Sequence, residues 1–141
     1  MTISRSQIRS RARAALAANP RMSGFEQISA WTGNIEASRL PVLGAVTPGE
    51  RIDPETWSHY QRATVLQVVA KRLGRDDLED QLDADADAIE AATLQSFAQW
   101  GVDCVPVSVS ITLNGEGEQR IGTVVAEFRV TWHRDLSGQT L

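Results

Sequence analysis

Residues 82–91 read LDADADAIEA. Asp83, Asp85 and Asp87 alternate as the ligands of a calcium loop do, so the stretch is either a metal loop or part of a helix. A calcium loop opening at Asp83 requires Gly at its sixth position and Glu at its twelfth. Ala88 and Leu94 stand there instead. The alanines between the acids favour helix. Reading outward, Leu78, Leu82, Ala86, Ile89, Thr93, Phe97 and Trp100 recur at steps of three or four. That spacing predicts one apolar face of a long helix from Asp77 to Gly101. Asp76 and Asp77 suit the positive end of its dipole, and Gly101 stops it. Asp80, Asp83, Asp87 and Glu90 form a second, acidic stripe beside the apolar one. Their mutual repulsion is relieved if a basic surface, or loosely held divalent ions, face them.

On both sides of this helix the period changes to two. Upstream, Tyr60, Thr64, Leu66 and Val68 alternate with Gln61, Ala63, Val65 and Gln67, predicting a strand over 59–71. Downstream, Val105, Val107, Val109, Ile111 and Leu113 alternate with Pro106, Ser108, Ser110 and Thr112. Val124, Ala126, Phe128, Val130 and Trp132 do the same in the following segment. These two runs, joined by NGEGEQR at 114–120, predict an antiparallel hairpin with one apolar face on each strand. Between residues 21 and 59, FEQISAW suggests a short strand, TGN a turn, and LPVLGAV at 40–46 another strand. TPGERIDPE at 47–55 predicts an exposed polar connection.

At the N-terminus, Ser4 and Gln7 make a capping box, Ile8, Ala12, Ala15 and Leu16 keep helical spacing, and Asn19-Pro20 closes the helix. The Arg- and Ser-rich composition of this segment is also that of organelle transit peptides. The helical spacing favours a first helix of the mature fold. Arg5, Arg9 and Arg13 form a row expected on its outer side. The expectation is a single α+β domain over residues 1–141, with element order α-β-β-β-α-β-β. Its antiparallel or mixed sheet has about four to five strands, and two helices pack on one face.

Charge divides along the chain. Residues 1–21 carry five arginines and no acid, whereas the remainder has nine basic and eighteen acidic residues, for a net charge of −4. An acidic body disfavours general nucleic-acid binding, and no apolar run is long enough for a membrane span. The single cysteine, Cys104, allows no internal disulfide and fits a reducing compartment. It precedes an apolar strand, so an inert thiol is expected. His59 and His133 lie in no metal motif, and GEGEQRIG lacks the Lys-Ser or Lys-Thr of a phosphate loop. The residues therefore point to no catalytic centre, no cofactor and no metal. The expectation is a protein that is not an enzyme.

The element order and several segments resemble the lambda-like phage tail terminator family, also called minor tail protein U. The likeness runs from the N-terminal helix to about Arg134. It is tightest from Leu40 onward, where LPVLGAVTPGERIDPETWSHYQRATVLQVV is similar to the family's apolar strand, polar loop and D-x-[DE]-T-W step. Asp53, Glu55, Thr56 and Trp57 occupy that step here. LEDQLDADADAIEAA resembles the acidic second helix, and VAEFRVTWHRD the final strand. Residues 23–39 depart from the pattern.

The resemblance implies a structural virion protein. It would cap the head-proximal end of a phage or gene-transfer-agent tail as a hexameric ring, stopping tube polymerisation and offering a surface for head–tail joining. The partners implied are further copies of the chain, the major tail tube protein and a neck or head–tail connector protein, with no membrane and no specific nucleic acid. Such a protein is made in the host cytoplasm and resides in the virion tail. A tail-completion or neck protein is the alternative within this class, and a small α+β enzyme or ligand-binding module the alternative outside it. A cyclic ring joins two unlike patches of each subunit. Arg5, Arg9 and Arg13 are the candidates for one patch, and Asp80, Asp83, Asp87 and Glu90 for the other. Thr47, Glu50, Arg51 and Asp53, together with Gly115, Glu116, Gly117 and Glu118, are candidates to touch the tube or neck.

Overall fold

The computed structural model describes residues 3–28, 35–115 and 120–140. The first helix, α1 (Arg5–Ala18), begins where expected, with the Ser4 hydroxyl accepting from the Gln7 N–H at 3.2 Å. Past its end the Asn19 side chain accepts from the N–H groups of Arg21 and Met22, satisfying the turn that Pro20 imposes. Ile8, Ala12 and Leu16 are fully buried, so this segment is part of the core. The second helix, α2 (Leu78–Trp100), buries Leu82, Ile89 and Phe97. Gly101 ends it in the left-handed region at φ 78°, and the Val102 N–H reaches back to the Phe97 carbonyl. That geometry needs glycine. Residues 82–91 are thus helix throughout.

Five strands form one sheet in the order β1-β2-β3-β5-β4, namely β1 (Glu26–Gln27), β2 (Val42–Pro54), β3 (His59–Gly74), β4 (Asp103–Asn114) and β5 (Arg120–Asp135). β1 runs parallel to β2, and every other pairing is antiparallel. The fold is α+β, and both helices lie on one face of this mixed sheet. Beneath them, Leu66, Val68, Val124, Ala126, Phe128 and Trp132 fill the core. α2 presses close to β5 at Gly122, where a Cβ would stand 2.5 Å from Leu82. Among the described residues of FEQISAW, 25–28, Glu26–Gln27 form strand. Trp31 and the TGN turn lie outside the described residues.

Three expectations need correction. Residues 47–54 are not a loop, because β2 continues through them to Pro54. An irregularity between Val46 and Gly49 absorbs Pro48 and restores pairing with β3. Thr47, Glu50, Arg51 and Asp53 are therefore strand residues.

The arginine row of α1 is not purely a solvent face, although the Arg5 side chain stays 56 % exposed. Arg5 and Arg9 lean onto β2, since a helix seated over a sheet edge turns one flank to that edge. Finally, the five valine, isoleucine and leucine positions of β4 do not share a face. A bulge between Pro106 and Ser108 flips the alternation, so that Cys104 and Pro106 pair with Val130 and Phe128 on the core side. Val105 pairs with Arg129 on the outer side. Val109, Ile111 and Leu113 return to the helix side, opposite Ala126, Val124 and Gly122.

Candidate interaction site

Two buried carboxylates organise the charged side chains. Asp85, on α2, has no exposed surface and sits on the helix's apolar flank with Leu82 and Ile89. Arg72 of β3 binds it through two nitrogens at 2.6 and 2.8 Å, and Arg21 through Nε at 2.8 Å. Arg21 also donates to the Gln81 carbonyl and side chain, and Arg72 lies over the Phe25 ring at 5.1 Å. This node ties the turn after α1 to α2 and β3. A carboxylate taken out of water in this way needs such partners, because an unpaired one would cost several kcal/mol.

Glu50, on β2, is the second node, its side chain 3 % exposed. Arg62 donates to Oε2 at 2.6 Å, the Thr64 hydroxyl donates to Oε1 at 2.6 Å, and Arg5 approaches Oε2 at 3.7 Å. Trp132 Nε1 donates to the Thr64 hydroxyl at 2.9 Å, and Arg62 and Arg134 lie against the Trp132 ring at 5.6 and 4.6 Å. Arg9 donates to the Thr47 hydroxyl at 2.6 Å. The structure thus brings Arg5 and Arg9 together with Thr47 and Glu50, two groups that sequence reasoning kept apart. Arg13 contributes its carbonyl, which accepts from Gln27.

The remaining candidates lie at the surface. Asp80, Asp83 and Asp87 are exposed and Glu90 is half-buried. Among the described residues none of the four has an ion pair. Arg51 and Asp53 pair with each other at 2.9 Å on the exposed outer half of β2. Gly115 sits at φ 109° after β4, while Glu116, Gly117 and Glu118 lie outside the described residues. His133 of β5 hydrogen-bonds to Glu55 in the β2–β3 turn. Burial, aided by the charge of Asp103, pushes the Cys104 thiol up to about 12. A nucleophilic role would need the thiolate at neutral pH. Among the described residues no group of three or more His, Cys, Asp and Glu is placed to hold a metal ion. No described helix is long and apolar enough to cross a membrane.

Sequence reasoning missed two kinds of feature. Asp85 was passed over for its exposed neighbours, although its place three residues after Leu82 and four before Ile89 put it on the apolar face. The other is exposed apolar surface. Val109 is 50 % exposed, with Val107, Ile111 and Leu113 beside it along β4, and at the opposite flank Ile52 is 49 % and Trp57 86 % exposed. No protein-family model matches the chain, and a search of the curated proteins finds no match.

Proposed function

We propose that the chain is a tail terminator, a ring-forming structural protein that caps the head-proximal end of a phage or gene-transfer-agent tail tube. The observation that carries this reading is the exposed apolar surface at two separate places, along β4 and at the β2–β3 tip. Contiguous apolar surface of this kind marks interaction sites in a folded domain. Two unlike patches suit a ring contact plus a contact to another component. The buried arginine–carboxylate nodes fit a scaffold that carries contacts on a rigid sheet, and the layout agrees with the terminator resemblance.

In this reading the mechanism is capping. One face of the ring docks on the last layer of tube subunits, and the other offers them no further binding site. In this reading Trp57, 86 % exposed in the β2–β3 turn, is the candidate to touch the tube or neck. The test is growth of tail tubes from purified tube protein with and without the chain. Tubes of bounded length, with the chain at one end only, are the expected result. Unchanged tube growth, with the chain bound to a neck protein instead, would assign it to the connector.

A further inference from the structure

We infer that the outer edge of β2 in one copy adds to the free edge of β4 in the next, continuing the sheet from chain to chain. This deepens the ring reading above and rests on it. β4 is twelve residues long, and among the described residues only β5 pairs with it. It carries no lysine, and its bulge and single proline lie at one end, so the stretch from Ser108 to Asn114 is a regular, unprotected edge. Such an edge is a template for another strand.

At the sheet's other side β1 covers β2 only at Val42 and Leu43. From Ala45 to Pro54 β2 has no further strand neighbour among the described residues. The strand directions agree with the pairing. β2 is antiparallel to β3, β3 to β5, and β5 to β4, so β2 and β4 run in opposite senses within a chain. A neighbour repeated head to tail around a ring brings its β2 to this β4 as an antiparallel partner, without inversion.

Side chains on both edges fit a second copy. Ile52 pairs with Arg62, and Glu50 with Thr64, on the helix side of β2. Val109, Ile111 and Leu113 lie on the helix side of β4, so the incoming Ile52 meets a half-exposed apolar row.

Charge adds the second argument. α1 lies along the β2 edge and carries Arg5 and Arg9 toward it. On α2, Gln81, Asp85 and Ser96 face α1 and its following turn through Arg21 and Arg11. At 3.6 residues per turn, Asp83 and Glu90 fall on the opposite flank, toward β4. Joining the two edges therefore sets a basic helix flank against an acidic one. That relieves the repulsion within the acidic stripe and favours this register over a twofold β4–β4 contact, which would oppose acid to acid.

The test uses the full chain and two variants, Ile111→Lys on β4 and Ile52→Lys on β2, followed by analytical ultracentrifugation and native mass spectrometry. The wild type should form assemblies larger than a dimer, and each variant alone should associate at least about tenfold more weakly. An equimolar mixture should stop at a heterodimer, because only one intact edge of each kind remains. That recovery also shows that both variants fold. Raising salt from about 0.05 to 0.5 M should weaken wild-type association, a measurement that needs no variant.

A wild type that stays monomeric throughout overturns the inference, as does a variant that assembles normally, a mixture that stays monomeric, or association indifferent to salt. The tube-growth assay separates this contact from the function. If both variants still form rings and cap tubes, the contact is wrong and the terminator reading stands. If the wild type assembles through these edges but leaves tube growth unchanged, the contact stands and the terminator reading falls.

Discussion

Asp83 and Asp85 are two residues apart on one helix and have opposite environments. Asp83 is exposed and has no ion pair among the described residues, whereas Asp85 is wholly buried and holds Arg72 and Arg21. Their chemistry is the same, and helical phase alone separates them. The lesson is that an acidic run cannot be read as one unit. One flank of α2 fastens the domain, and the other is exposed.

The largest expected effect tests the fastened side. Asp85→Ala leaves two guanidinium groups without their carboxylate. It should destabilise the fold by about 3 kcal/mol, toward the low end for a broken buried pair because both arginines keep some contact with water. In thermal unfolding that is a drop of about 10 °C. Asp83→Ala should change stability by no more than about 0.5 kcal/mol. Equal effects of the two substitutions would remove the distinction.

The Glu50 node sharpens the same contrast on a strand. Glu50→Gln preserves shape but deprives Arg62 of a charged partner at 2.6 Å. The expected loss in denaturant unfolding is about 1–3 kcal/mol, the range for a compromised buried hydrogen-bond group. Because Thr64 links Glu50 to Trp132, a double-mutant cycle of Glu50→Gln with Trp132→Phe should be non-additive. Strict additivity would show that the chain of contacts carries no coupling.

These nodes also show what was legible in the sequence. Period-2 alternation revealed β3 and β5 because Leu66, Val68, Ala126 and Phe128 face the core under the helices. It failed on β4, where the bulge after Pro106 shifts the phase and the strand lies at the sheet's rim. Pro48 and Gly49 read as a turn because their local preference is a turn. The ladder to β3 overrides that preference by accommodating an irregularity. The destinations of Arg5, Arg9 and Arg72 depend on pairings between segments far apart in the chain, which no local pattern encodes. Asp85 was the exception, since its phase with Leu82 and Ile89 was visible.

Asp135 supplies the smallest and most local test, a carboxylate that is partnered without being buried. Its Oδ1 accepts from the Ser137 hydroxyl at 2.6 Å and from the Ser137 and Gln139 N–H groups at 2.9 Å. The Ser137 hydroxyl contributes most to holding its pKa below the ordinary Asp value, followed by the Gln139 N–H. Because the folded pKa is depressed, the stabilisation is fully present above the unfolded pKa and is lost as pH falls through the lower, folded one. The Ser137 amide proton should therefore titrate at a lower pH in the folded chain than in a peptide spanning residues 133–139, as followed by NMR. The carboxylate would keep its partners to the more acid end of the Asp range without any help from burial. Identical midpoints would mean that these hydrogen bonds do not outlast the solvent around them, and that burial alone separates the fastened carboxylates from the free ones.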